Sequence, residues 1–311
     1  MKSKPHRFFL YLLLCAAMRI LGVFPRRVLL ALAAGGARCA FWLLPHYRRR
    51  TLEHLQSAFA FEKSSDEIQA LAIGAFVNLA KTAADWIVGA RIGKEGRMKL
   101  VSLEPGQAQC LENLYREGRG IIFLTAHLGN WELLGALAVD LGFEGAVIGR
   151  RIYYERFNRV IVNLRQRWGI RTIYRDEPPN AMLRTLKDGG FLGILPDQDV
   201  SSIDGLHVPF FGRAAYTPVA PSRIAQVTGA PILPMFLIRE GDQYRLVIDE
   251  VIRVEPKGGR EETVRYYTAR WTAVIERMIR RFPDQWVWMH DRWRTPMPDD
   301  QVTSFPAAQE A

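Results

Sequence analysis

Ile121-Ile122-Phe123-Leu124-Thr125-Ala126-His127-Leu128-Gly129-Asn130-Trp131-Glu132 is the stretch on which the reading of this chain turns. The four apolar residues from Ile121, bounded by Gly120 and a polar turn, have the length and composition of a buried strand. The pattern then becomes helical over Glu132 to Leu141. A strand that feeds a helix through a short turn is the unit of parallel sheets, and catalytic groups gather at the carboxyl ends of such strands. His127 falls just past the strand and Glu132 in the first helical turn, where the helix dipole favours a carboxylate. Glu132 is therefore expected to accept a hydrogen bond from one imidazole nitrogen, leaving the other to take a proton from a hydroxyl. No nucleophilic side chain stands beside them. A plain surface pair is the alternative reading of a histidine and a glutamate at this spacing.

Outward from this stretch the same alternation continues. Helix Gln107 to Arg116 precedes strand Ile121 to Thr125, and helix Glu132 to Leu141 precedes strand Gly145 to Gly149. Helix Glu155 to Trp168 precedes strand Thr172 to Tyr174, and helix Asn180 to Lys187 precedes strand Phe191 to Leu195. Helix Pro221 to Thr228 precedes strands Ile232 to Ile238 and Tyr244 to Ile248. The expected fold is α/β, a mostly parallel sheet flanked by helices with an antiparallel edge. Met1 to about Ala90 reads as wholly helical, and a long helix, Glu262 to Phe282, closes the chain. The expected organisation is a helical membrane-associated part over 1–45 and a single domain over 46–311. That domain divides into a helical lead-in 46–105, an α/β body 106–250, and a C-terminal helix and tail 251–311. Strand ends in such a sheet face one crevice, which gathers His127, Glu132, Arg150 and Asp197 on one edge. Arg150 follows a strand end and is placed to clamp a phosphate or carboxylate, with Arg151 its adjacent rival. Arg165 or Arg167 either adds charge from the next helix or lies on that helix's outer surface.

The formal net charge is +10, and eight arginines between Arg150 and Arg175 share that segment with a single acid, Glu155. Such a surface attracts phosphates, an anionic membrane or an acidic protein. Nucleic acid is not expected, because no recognised binding module accompanies the charge. Cys15, Cys39 and Cys110 are odd in number and scattered without metal-ligand spacing, which suits a reducing compartment. No zinc signature, phosphate-binding loop, dinucleotide fingerprint or serine nucleophile elbow occurs, so neither metal nor cofactor is expected.

Phe8 to Phe24 is apolar except for Arg19, with Lys2, Lys4, His6 and Arg7 before it and Arg26 and Arg27 after. Val28 to Leu44 is a second apolar stretch, broken by Gly35, Gly36 and Arg38 and followed by Arg48, Arg49 and Arg50. A cleaved signal peptide, a buried core helix, and a membrane anchor or interfacial hairpin are the three readings; the last is favoured. Basic residues on both flanks leave its orientation open.

His127-Leu128-Gly129-Asn130-Trp131-Glu132 resembles the histidine-four-residues-acid signature of the glycerolipid acyltransferase superfamily, and more narrowly that of the bacterial late acyltransferases of lipid A biosynthesis. Gly190 to Asp199, with Pro196-Asp197-Gln198, resembles their central block. Thr228 to Pro234 resembles the fourth block, and Pro283 to His290 with Arg292-Trp293 the C-terminal signature. Arg50-Thr51-Leu52-Glu53-His54-Leu55 with Ala58-Phe59 resembles the early segment, with His54 where asparagine is usual and no proline following. Tyr154-Glu155 replaces the Asn-Pro that often follows the second-block arginine. The Pro-Glu-Gly pattern of phospholipid-making relatives is also missing, which argues against glycerol phosphate as acceptor.

For the acyl transfer that this resemblance implies, His127 aligned by Glu132 is the expected general base, and the missing nucleophile implies direct acyl transfer without an acyl-enzyme. The resemblance places Arg150, Asp197, Arg165 and Asn130 among the substrate contacts. It implies an acyl carrier protein thioester as donor, a phosphorylated glucosamine lipid as acceptor, and a catalytic domain on the cytoplasmic side of the bacterial inner membrane. The oxyanion is expected to find donors among backbone amides from His127 to Asn130 or at Arg150. Phe210, Phe211 and the tryptophans Trp286, Trp288 and Trp293 are read as an acyl groove or as ordinary core, and His290 as structural. Competing readings are another lipid acceptor (a lysophospholipid, an amino-acid lipid or a mannosylated inositol lipid), a thioesterase, and a catalytically silent lipid-binding adaptor.

Overall fold

A computed structural model describes residues 5–89 and 91–298. Lys2, Lys4, Ala90 and the tail 299–311 lie outside the described residues, as do the side chains of Pro5 and His6. Five helices come first: α1 (Pro5–Leu21), α2 (Arg26–Leu43), α3 (Pro45–Phe59), α4 (Ser65–Gly89) and α5 (Lys94–Met98). The body then runs β1 (Val101–Ser102), α6 (Pro105–Arg116), β2 (Ile121–Leu124), α7 (Trp131–Asp140), β3 (Gly145–Gly149), α8 (Glu155–Arg167) and β4 (Arg171–Tyr174). It continues with α9 (Asn180–Lys187), β5 (Phe191–Ile194), β6 (Gly205–Phe210), β7 (Arg213–Pro218), α10 (Ala220–Thr228), β8 (Ile232–Glu240), β9 (Gln243–Ile248) and α11 (Arg260–Arg281).

Seven strands form one sheet in the order β1-β9-β8-β2-β5-β3-β4, parallel throughout except for the β8–β9 pair. The expected α/β class and its antiparallel element are both present. Both faces of the sheet are covered, which is why its central strands read as unbroken apolar runs. Ile122 and Leu124 point into one core, with α10 and α11 packed over them. Ile121 and Phe123 point into the other, beneath α6 and α7. All four residues of β2 are at most 5% exposed, as are Phe191, Leu192 and Ile194 of β5, and Gly193 between them is buried too.

The β6–β7 hairpin was not expected. Its strands carry Pro209 and Pro218, and proline argues against a strand when only sequence is read. The hairpin tolerates them because it stands outside the main sheet as a two-stranded unit. Its turn is Phe211-Gly212, both with positive φ (50° and 69°), the geometry that a two-residue hairpin loop demands. Phe210 and Phe211 pack on Trp286 and Trp288 with ring centroids 5.8 and 5.7 Å apart. These aromatics are core.

The N-terminal helices differ in character. α4 is the one described helix long and apolar enough to cross a bilayer on its own, yet 44% of its most apolar window is buried inside the protein. It is built into the body by Asn78, Thr82 and Asp85, all buried. The expected segment Phe8 to Phe24 is α1, which stops at Leu21 before a turn. At about 1.5 Å per residue its 17 residues cover roughly 25 Å, short of a hydrocarbon core of about 30 Å. α2 buries Leu29, Leu30, Ala34, Ala37 and Phe41 on one side. Both helices leave large apolar side chains in the open, including Phe9, Leu13, Ile20, Leu32, Trp42 and Leu43. α1 meets α8 through Tyr11 and Phe157, 6.3 Å between rings, and through Arg156, which lies 4.7 Å over the Phe8 ring.

Candidate active site

The carboxyl end of the sheet places the chemistry. β2 and β5 are parallel neighbours with Leu124 opposite Ile194. His127 and Asp197 are each three residues beyond that pair, and their side chains meet. His127 Nδ1 donates to Asp197 Oδ1 at 2.8 Å. The backbone N–H of His127 and the Trp286 indole N–H both donate to Oδ2, each at 2.8 Å. Burial alone would push the Asp197 carboxyl up. The His127 ring beside it and these hydrogen bonds outweigh burial and hold it well below the usual carboxylate range. Asp197 is thus an ionised, fully enclosed acceptor with three donors. It fixes the proton of His127 on Nδ1 and leaves Nε2 with its lone pair.

Glu132 does not orient His127. Asn130 caps α7, its side-chain oxygen accepting from the Leu133 N–H at 3.1 Å, so Glu132 is already the second residue of the helix. Its carboxylate turns to α8 and takes both arms of Arg165, from Nε at 2.9 Å and Nη2 at 2.5 Å. The expected Glu132–imidazole hydrogen bond is replaced by this pair, because the first helical turn directs Glu132 at its neighbouring helix. Asn130, expected as a substrate contact, is 0% exposed, and its amide nitrogen donates to the Tyr244 hydroxyl at 2.8 Å. That hydroxyl bonds Asp85, whose carboxylate also pairs with Arg26 and Arg239. A buried polar chain therefore links α2, α4 and the cap of α7.

The loop between His127 and α7 is held from every side. Gly129 sits at φ 64°, and a Cβ there would collide with the Leu237 carbonyl oxygen. Its own carbonyl accepts from Asn78 and Thr82 at 3.2 and 3.1 Å. The Gly129 and Asn130 N–H groups donate to Gln285 and Leu237 carbonyls at 3.1 and 2.9 Å. With the His127 N–H on Asp197, the amides of His127, Gly129 and Asn130 are all occupied. Of the amides expected as oxyanion donors from His127 to Asn130, these three are engaged within the protein.

His127, 22% exposed at its side chain, faces a cavity of about 520 Å³. That is within the roughly 300–1,000 Å³ common for small-molecule sites. Its apolar wall includes Trp131, Gly135, Val147, Ile161, Ile170 and Met182. Val147 and Ile148 follow one another in β3, point to opposite faces and both reach the cavity, so it bends around the strand ends. Glu132 and Arg165 also line it, as do Arg150 and Arg175 at the ends of β3 and β4. Gly149 pairs with Tyr174, which puts Arg150 and Arg175 side by side in register. Burial and the neighbouring Arg150 guanidinium pull Arg175 below its ordinary value. Arg151, the rival position, is engaged elsewhere: it lies 3.9 Å over the Tyr174 ring and 3.4 Å from Glu177.

A profile of bacterial lipid A biosynthesis acyltransferases matches residues 2–295. The chain belongs to this acyltransferase family. It is 24% identical over 254 residues to the lipid A biosynthesis myristoyltransferase of Escherichia coli, covering 81% of this chain and 77% of that one. It is 26% identical over 191 residues to the phosphatidylinositol mannoside acyltransferase of Mycolicibacterium smegmatis, covering 59% and 60%. With the lipid A biosynthesis lauroyltransferase of E. coli it shares 27% over 184 residues, 57% and 55% of the two chains. The match thus spans about three-fifths of the mycobacterial relative and just over half of the lauroyltransferase.

The site also holds residues that the sequence did not single out. Gln198 brings its amide nitrogen to 2.9 Å from His290 Nε2 and 3.3 Å from His127 Nε2. The two imidazoles stand 5.3 Å apart. Burial, with His127 beside it, pushes the His290 ring down to about 4. Trp286 holds Asp197, a role hidden in what reads as a run of core aromatics. The signal that finds Asp197 and Arg175 is a shared offset past paired strands, which needs the strand order.

Proposed function

We propose that this protein is an O-acyltransferase that moves a fatty acyl chain from a carrier-protein thioester to a hydroxyl of a phosphorylated glycolipid. The reading rests on one observation above all: His127 Nε2, freed by the Asp197 hydrogen bond, opens onto a long apolar cavity. His127 takes the proton of the acceptor hydroxyl as its oxygen attacks the thioester carbonyl carbon. The carbon–sulfur bond then breaks, and the departing sulfur takes the proton from His127. No side chain is positioned as a nucleophile, so transfer is direct. Asp197 keeps the imidazole in the active tautomer. Glu132 enters the mechanism through Arg165, which it holds at the cavity wall.

The cationic end of the cavity supports the phosphate. Arg150 and Arg175 end β3 and β4, two and three strands from β2, which at about 4.8 Å per strand is roughly 10–14 Å from the base. That separation suits an acceptor, or a carrier arm, with a phosphate distant from the reacting atoms. The apolar outer faces of α1 and α2 support docking at the bilayer surface, with the cavity drawing lipid from it. For a lipid A precursor, the expected setting is the cytoplasmic side of the inner membrane.

A mannosylated inositol lipid is the second acceptor to test, favoured by the match to the mycobacterial relative. Purified protein in detergent would be given acyl-carrier-protein donors with a tetra-acylated lipid A precursor, a mannosylated inositol lipid or a lysophospholipid. One acyl mass increment on the lipid A precursor, lost in His127→Ala, supports the first reading. An increment confined to another acceptor replaces it. Free fatty acid alone makes the protein a thioesterase, and no turnover with any pair leaves the lipid-binding adaptor.

A further inference from the structure

We infer that Gln198 donates the hydrogen bond that stabilises the oxyanion of the tetrahedral intermediate, and that His290 is the residue that positions it. The inference rests on the acyl-transfer reading.

Elimination narrows the donors. Negative charge on the thioester oxygen develops within a few ångströms of the hydroxyl that His127 Nε2 deprotonates. The amides of His127, Gly129 and Asn130 already donate inside the protein, and Leu128, 0% exposed and bridged to Trp286, does not line the cavity. Arg150 and Arg175 stand at strand ends roughly 10–14 Å away. Arg165 gives Nε and Nη2 to Glu132. Gln198 lines the same cavity and has its amide nitrogen against the His127 ring, 3.3 Å from Nε2 and 3.4 Å from Nδ1.

The network fixes which way the amide faces. Asp197 takes the Nδ1 proton of His127, so His127 Nε2 is a lone pair. The amide nitrogen, not the oxygen, is the atom of Gln198 that faces both rings, and its two N–H groups leave one beyond that given to His290. His290 Nε2, at 2.9 Å, accepts the first N–H. The ring's burial keeps it neutral and hence able to accept. The second N–H has no such acceptor: the amide nitrogen is nearly equidistant from His127 Nε2 and Nδ1, at 3.3 and 3.4 Å, and so lies off the direction of the Nε2 lone pair. The lone pair stays open to an arriving hydroxyl, and the unsatisfied N–H stands beside it, next to where the oxyanion forms.

The step balances without a further reagent. The hydroxyl oxygen bonds the carbonyl carbon, its proton passes to His127 Nε2, and the carbonyl π pair becomes the oxyanion that Gln198 holds. Collapse restores the carbonyl, breaks the carbon–sulfur bond and gives the sulfur the proton. Ester and free thiol are the products.

The test uses the full chain in detergent with Gln198→Ala, Gln198→Glu, His290→Phe, His290→Gln and His127→Ala. Loss of one oxyanion donor costs on the order of 10²–10³ in kcat. Both Gln198 variants are expected to show that loss with KM within about threefold and an unchanged melting temperature. His290→Phe should lower kcat in the same sense, and His290→Gln, which offers a carbonyl acceptor, should restore part of it. Imidazole nitrogen NMR supplies a readout apart from turnover: His290 Nε2 should resonate as an unprotonated, hydrogen-bonded nitrogen and shift in Gln198→Ala. Gln198→Ala with kcat within threefold of wild type, while His127→Ala is inactive, overturns the inference and leaves acyl transfer standing. A protonated His290 Nε2 overturns it as well. Wild-type protein inactive on every donor and acceptor overturns the acyl-transfer reading itself.

Discussion

Asp197→Asn tests the site at its hinge. The carboxylate accepts three hydrogen bonds, from the His127 ring, the His127 backbone and the Trp286 indole, and it is fully buried. Asparagine has the same shape but only one accepting atom. With its oxygen toward the His127 ring, its NH₂ confronts two donors, and two buried N–H groups left unsatisfied cost about 1–3 kcal/mol each. With its oxygen toward those two donors, both are satisfied and its NH₂ donates to His127 Nδ1. The second orientation is better by roughly 2–6 kcal/mol on the same count. It moves the imidazole proton to Nε2 and removes the lone pair that takes the hydroxyl proton. The analogous change in the serine protease triad lowers kcat by about 10⁴, or some 5.4 kcal/mol at about 1.36 per tenfold. The same order is expected here, with the protein folded and donor binding retained. Acyl transfer would be followed by mass spectrometry under saturating donor and acceptor, beside Glu132→Gln. A variant Asp197→Asn within tenfold of wild type would refute the assignment. So would a folded Glu132→Gln that loses more than Asp197→Asn, because that outcome would return the orienting role to Glu132.

Three further outcomes follow from contacts at the same site. Glu132→Ala and Arg165→Ala are each expected to destabilise by about 3 kcal/mol, since each strands a buried charge, and the double variant should lose little more than either alone; additive losses in denaturant unfolding would refute the pairing. Gly135 lines the cavity, and a Cβ there would meet the Ile170 Cδ1 at 3.1 Å. Gly135→Leu should therefore shift the preferred donor to chains two to four carbons shorter, with about fourfold lost per excluded methylene at roughly 0.8 kcal/mol each; an unchanged chain-length profile would place the acyl chain elsewhere. Finally, His290 titrates near 4 in the fold against an ordinary 6.5, because burial and then His127 disfavour its charge. The unfolded chain takes that proton first, so the His290 contribution is full above pH 6.5 and is lost as pH falls toward 4. His290→Gln should lose less melting temperature than wild type between pH 7 and pH 4.5, and parallel profiles would show that the ring is solvated.

Elements set by local pattern could be read from the sequence. Gly145–Gly149 and Asn180–Lys187 have the boundaries that their composition implies, and β2 and β5 differ from the expected strands by one residue. Apolar runs bounded by glycine or polar turns suffice for that. The β6–β7 hairpin was hidden because Pro209 and Pro218 are tolerated only by a short unit outside the sheet. The membrane reading of Phe8 to Phe24 rests on its apolar composition and a length near the lower limit for a span, and the break after Leu21, which composition does not mark, ends α1 short of Phe24. In α4 the apolar pattern looks like that of a span, but Asn78 and Thr82 reach inward to the His127 loop and Asp85 to Tyr244 and Arg239. Which face of an apolar helix meets protein is a tertiary fact.

The active-site pairing shows why a local motif misleads about its partner. Histidine and acid five residues apart look like a dyad, but a residue that begins a helix is aimed by the helix, and Glu132 goes to Arg165. A residue three past the end of a strand is aimed by the sheet instead, and its neighbour is whatever stands three past the adjacent parallel strand. His127 and Asp197 satisfy that rule across β2 and β5. Arg150 and Arg175 satisfy it one residue past Gly149 and Tyr174, across β3 and β4. Each offset is visible in the sequence; the order β2-β5-β3-β4 is not, because it is fixed by where crossover helices find room to pack. Once that order is known, reading along the edge separates a proton-transfer end at β2 and β5 from a cationic end at β3 and β4. The distance between them follows from strand spacing, so on the proposed reading the sheet itself sets how far the acceptor's phosphate lies from the hydroxyl at His127.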